Sequence, residues 1–195
     1  MSDYYSAAIP EPFTICKLRL KPYSLGHIIL LHRVDSAFVT GGDAGLEDLI
    51  TSVFLCSQSY EDGVKALDNP KLPKFMKSWQ RQLGSFNVKA KMADFAAYIE
   101  AHSKSPLFKF EVGKTKANHC PVAQLVKMAL LSETNLTETE ILNRSWSLCL
   151  WDFVTLRTMA GKVDMMNPTA INDAQAIADK LQAKFNTRTP VCPSE

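Results

Sequence analysis

Four histidines (His27, His32, His102 and His119) and five cysteines (Cys16, Cys56, Cys120, Cys149 and Cys192) are the side chains most able to bind a metal or attack a substrate near neutral pH. A zinc or iron centre needs three or four such ligands, typically gathered from spacings such as His-x-x-x-His with a carboxylate or thiolate partner. That spacing is absent, and no two cysteines stand as Cys-x-x-Cys. His119 and Cys120 are the one adjacent base and thiol, but neighbours in an extended segment point to opposite sides. They read as a loop pair ahead of Pro121, a site only if distant ligands approach. His32 falls on an apolar helix face and reads as a core or boundary histidine. No metal, no cofactor and no catalytic residue is expected from these positions.

Two further features border on chemistry. Gly41-Gly42-Asp43-Ala44-Gly45 precedes a helix, yet it lacks both the Lys-Ser/Thr ending and the preceding strand of a phosphate loop. It reads as a flexible loop. Asp152 sits between Trp151 and Phe153 in the most apolar helical run, where a carboxylate must find a donor or reach water. Arg144 and Arg157 are the candidate partners, and the reading is a structural polar residue with a functional role as the alternative.

The most informative charge feature lies between Asn69 and Ala93, where Lys71, Lys74, Lys77, Arg81, Lys89 and Lys91 occur without a single acid. At 100° per residue Lys71, Lys74, Lys77 and Arg81 oppose a stripe of Leu72, Phe75, Met76, Trp79 and Leu83, which makes an amphipathic helix. These four cations are the candidate partner-binding residues. With the aromatics assigned to the core, basic and stacking groups do not interleave as a nucleic-acid surface wants, so nucleic acid ranks below an acidic protein or plain solvent.

The elements that must position these residues read as a mainly α protein, a compact domain of about six to seven helices with a small two-stranded β element. Residues 1–12 form an arm, 13–185 a single helical domain and 186–195 a tail. Residues 13–20 suggest a strand with a bulge at Cys16 and Lys17, partnered by the alternating run 107–112. Ser24 caps a helix running to about Asp35, and a second helix follows the glycine loop. Ser59 to Leu67 gives a short helix weakened by Gly63. Asn87 caps a helix to His102 that turns Val88, Met92, Phe95, Ala96 and Ile99 inward. The next helix turns Val122, Leu125, Val126 and Ala129 inward. The capping box Thr137-Glu-Thr-Glu140 opens a helix ending at Gly161, apolar nearly all round, with Trp146 and Trp151 buried and the whole helix central. A last helix follows Asn167-Pro168.

Composition narrows the function classes. The chain has 195 residues with a net charge of +2, 46% hydrophobic and 22% charged, the make-up of an ordinary globular domain that is neither disordered nor fibrous. Its small net charge gives no global pull toward nucleic acid or membrane. No apolar run nears 18 residues, and the start lacks a basic leader with an apolar block, so neither a membrane span nor secretion is expected. An odd set of cysteines among apolar neighbours fits reduced thiols in a cytoplasm.

Along Leu18-Arg-Leu-Lys-Pro-Tyr-Ser-Leu-Gly-His-Ile-Ile-Leu-Leu and Asp48-Leu-Ile-Thr-Ser-Val-Phe-Leu-Cys-Ser-Gln-Ser-Tyr the chain resembles tail assembly proteins of phages and prophages. The resemblance covers about residues 13–60 and touches 137–161. It implies a mostly helical, noncatalytic chaperone for the tape measure protein of a long phage tail, made in the bacterial cytoplasm. The alternatives from the residues themselves are a nucleic-acid-binding protein using Lys71 to Lys91, or an enzyme with a dispersed site around His119, Cys120 or Asp152.

Overall fold

The computed structural model describes residues 12–83, 87–106, 108–110, 121–161 and 163–165. The expected arm over 1–11, the helix after Asn167, the tail, and the His119–Cys120 pair lie outside them. The described part is mainly helical with small antiparallel β elements. It begins with β1 (Thr14–Ile15) and β2 (Leu18–Arg19), which pair with each other. The expected partnership of residues 13–20 with 107–112 is therefore corrected. Cys16 and Lys17, read as a bulge, are a two-residue turn with φ of 50° and 66°. Positive φ at both central residues is the twist that closes a tight hairpin, normally supplied by Asn-Gly. Here it is imposed on two ordinary residues because Ile15, Cys16 and Leu20 are all buried. The run near 107 contributes β3 (Phe108–Phe110), which pairs with β4 (Val163–Met165) instead.

Nine helices follow among the described residues, against the six to seven expected. They are α1 (Leu25–Arg33), α2 (Ala37–Thr40), α3 (Leu46–Cys56), α4 (Tyr60–Leu67), α5 (Leu72–Leu83), α6 (Val88–His102), α7 (Val122–Glu133), α8 (Glu138–Asn143) and α9 (Trp146–Met159). Part of the surplus is α2, a single turn whose first amide donates to Asp48 Oδ2 at 3.0 Å. The rest is a break in the expected 137–161 helix. Thr137 and Glu140 do form the capping box, but Arg144 and Ser145 leave helical geometry with ψ of 140° and 133°. Their backbone is used elsewhere: the Trp146 amide donates to the Tyr23 carbonyl at 2.8 Å and the Leu25 amide to the Arg144 carbonyl at 3.4 Å. A β-like bridge between Ser24 and Ser145 thus starts α1 and α9 at one place.

The centre of the fold is α1, not the tryptophan helix. It packs against α2, α3, α4, α7 and α8. Leu30 and Leu31 enter one core cluster with Ile15, Leu49, Val53, Phe95 and Tyr98. Leu25 enters a second with Val126, Leu130, Ile141 and Cys149. On α9 only Ser147, Cys149 and Val154 are buried, and Trp146 and Trp151 are half-buried. In α6 Phe95, Tyr98 and His102 are buried, and Val88, Met92 and Ile99 pack half-buried against the same core as expected. Ala96 alone of the expected inward residues is exposed.

Close approach to α1 explains two glycines. A Cβ on Gly63 would stand 2.5 Å from Leu30 Cδ1, and one on Gly26 would meet the Leu142 carbonyl oxygen at 2.7 Å and Tyr60 Cβ at 2.8 Å. Gly63 therefore weakens α4 locally but lets it lie against α1. Helix propensity alone says that Gly26→Ala gains about 1 kcal/mol. Packing against a backbone carbonyl reverses the sign, and we expect the variant to lose roughly 1–3 kcal/mol by urea denaturation.

Candidate functional site

Ser24 and His27 form a capping box in which histidine takes the place of the usual Glu or Gln. The Ser24 hydroxyl accepts from the His27 amide at 3.3 Å, and His27 Nδ1 accepts from the Ser24 amide at 3.0 Å. Nδ1 is then the unprotonated nitrogen, and Nε2–H donates to the Gln58 carbonyl at 3.0 Å. The Tyr23 ring stacks on the imidazole at 6.2 Å. Burial drives the His27 pKa down to about 4, and the bond to Gln58 opposes that only in part. His27 is thus a neutral structural strut. His32, read as a core or boundary residue, is exposed instead, because α1 buries its Leu30–Leu31 side.

The described thiols Cys16, Cys56 and Cys149 are buried. Desolvation raises all three pKa values, Cys149 to about 12. A thiol kept protonated is a poor nucleophile. Asp152 pairs with Arg144, Oδ2 to Nη2 at 2.8 Å, which ties α9 to the end of α8. Arg157, the other candidate, pairs with Glu133 at 2.9 Å. Among the described residues no group of three or more His, Cys, Asp or Glu is gathered as metal ligands, and no helix is long and apolar enough to cross a membrane.

Two surfaces among the described residues bear on binding. One is a cleft of about 550 Å³ where α1, α7 and α9 meet, lined mainly by Ile28, Ile29, Pro121, Val122 and Trp146 with His32 at its rim. Val122, read as an inward residue, is 61% exposed. It occupies the first turn of α7, and the buried stripe of that helix begins only at Val126. Helical periodicity marks a stripe but not where along the helix the neighbour begins, so the sequence carries no signal for this cleft.

The other surface is α5. Its four expected cations, Lys71, Lys74, Lys77 and Arg81, are all exposed. The Phe75 amide donates to the Lys71 carbonyl, so Lys71 belongs to the same helical turn. None of the residues 72–81 is fully buried. The helix rests on α3 through Phe54, whose ring lies 5.6 Å from Phe75 and 6.5 Å from Trp79. A groove of about 230 Å³ between α3 and α5, lined by Ile50, Leu72, Met76 and Lys77 among others, runs beside it. Phe75, expected inside, is 52% exposed, because the single Phe54 ring covers only part of it.

No protein-family model matches the chain, and neither the curated proteins nor the solved structures contain a match.

The sign of the acid response follows from His27. Above about pH 6.5 it is neutral in both states; between about 6.5 and 4 the unfolded chain takes up a proton that the folded chain refuses, so stability falls as pH falls. The loss is on the order of 3 kcal/mol. His27→Gln keeps a side chain suited to the capping box. Its urea midpoint should fall less than that of the wild type between pH 7 and 4, whatever the variant loses at pH 7.

Proposed function

We propose that this protein is a noncatalytic tail assembly chaperone that shields part of a tape measure protein in the cytoplasm of the phage-infected or lysogenic bacterium. The observation that carries the reading is the open apolar cleft between α1, α7 and α9, a surface suited to the apolar edge of an amphipathic helix. Its α1 wall, Ile28 and Ile29, lies in the segment that resembles phage tail assembly proteins. A noncatalytic role is supported by the chemistry of the reactive side chains: His27 is neutral and fully engaged, the described thiols are desolvated, and Asp152 is held by Arg144.

Shielding is a matter of area and timing. A partner helix destined for a long fibre exposes apolar side chains before assembly, and each side chain covered by a cleft of this kind is withdrawn from water. Release requires that the cover be modest, and this cleft is open rather than enclosing.

Co-expression with the tape measure protein encoded in the same genome tests the reading. Soluble complex is expected, and Val122→Asp should reduce capture about tenfold, the equivalent of roughly 1.4 kcal/mol of lost burial. Because Val122 is exposed, the variant should unfold at the wild-type temperature. A genome without a tape measure gene, or a tape measure protein captured equally by both forms, overturns the proposal.

A further inference from the structure

We propose that the outer face of α5 docks an acidic amphipathic helix of a protein partner, with Lys71, Lys74, Lys77 and Arg81 facing its carboxylates and Phe75 seated on its apolar edge. The inference rests on reading the chain as a protein-binding module, and it assigns the chemistry of what is bound at a second surface.

The first support is a concentration of like charge. Lys71, Lys74, Lys77 and Arg81 have no ion-pair partner among the described residues, which is equally true of Lys17, Arg19, Lys21, Lys65, Lys89 and Lys104, but these four stand together along one face of one helix. Asn69 to Ala93 supplies no acid of its own, and Glu47, across the groove from Lys77, is the carboxylate lining that groove. Four like charges on one face repel one another, and a partner with the opposite charges relieves that repulsion.

The second support is spacing. The four cations fall within about 120° of the helix circumference and along about 15 Å of its axis, in steps of roughly 4.5 to 6 Å. Carboxylates at i, i+3 or i+4 on a second helix repeat at the same steps. The third is Phe75, a half-exposed ring about 40° around the helix from Lys71 and roughly 100° to 160° from Lys74, Arg81 and Lys77, so a partner helix reaches it at the Lys71 edge of the basic stripe. A duplex backbone offers it nothing apolar, whereas an acidic amphipathic helix brings carboxylates and an apolar edge together. Single-stranded nucleic acid would stack a base on Phe75, but a stacking track wants successive aromatic platforms. Trp79, the next ring along, is half-buried with its ring against Phe54.

The test uses the full chain and four labelled probes: a helical peptide with Glu at i, i+4 spacing and a Leu stripe, the same peptide with Gln for Glu, an oligothymidylate and a random duplex. The acidic peptide should bind at low salt and weaken as salt rises, and the Gln peptide should bind at least about tenfold more weakly. Charge reversal at Lys71, Lys74, Lys77 and Arg81 to Glu should abolish binding, and Phe75→Ala should weaken it several-fold. All five positions are exposed, and a Lys/Arg→Gln variant gives a gentler control on folding. Equal binding of the two peptides, peptide binding untouched by charge reversal, or oligonucleotides bound more tightly than the peptide and released on reversal each overturn the proposal. Val122→Asp should leave peptide binding intact. Failure of the tape measure reading and failure of this one are therefore read separately.

Discussion

Two short stretches of backbone, residues 23–25 and 144–146, hydrogen-bond to each other at the point where α1 and α9 both begin. A helix start carries unsatisfied amides, and a buried start must find acceptors for them. Here Leu25 donates to the Arg144 carbonyl, His27 donates to the Ser24 hydroxyl, and Ser24 donates to the His27 ring. The imidazole reaches on to the Gln58 carbonyl and so fixes the turn between α3 and α4. With these groups satisfied, α1 can run through the interior, and Gly26 lets the Leu142 carbonyl and Tyr60 close over it.

A central α1 sets what the surface offers. Leu30 and Leu31 face one cluster and Leu25 faces the other, which leaves Ile28 and Ile29 at the margin between them, where the cleft opens beside Val122 and Trp146. The outer helix α5 is far from this arrangement in its chemistry. It touches the body through Phe54, buries none of residues 72–81, and its four cations form no ion pair among the described residues. One surface is apolar and the other basic.

Much of the local architecture was legible. Ser24, Asn87 and Thr137 cap helices because a short polar side chain before an apolar-periodic run has few other uses. The basic stripe of α5 was equally plain, since exposed lysines need no partner to be placed. Less legible were Phe75 and Val122, which lie on the correct stripe of their helices but beyond the reach of the neighbour that covers the rest.

By itself the sequence determined the helical character of the chain, most helix starts and the side of α5 that carries charge. These depend on spacing and on hydrogen bonds between residues a few positions apart. Only the tertiary structure decided that Cys16 and Lys17 turn a hairpin, that the expected helix over 137–161 breaks at Arg144–Ser145, and that α1 is the hub. Each of those depends on a partner distant in sequence: Ile15 and Leu20 drawn into a shared core, a second strand-like segment that claims the broken backbone, and a carbonyl from α8 pressed against a glycine. Local periodicity records which side of an element is apolar, and long-range packing decides which apolar side is covered.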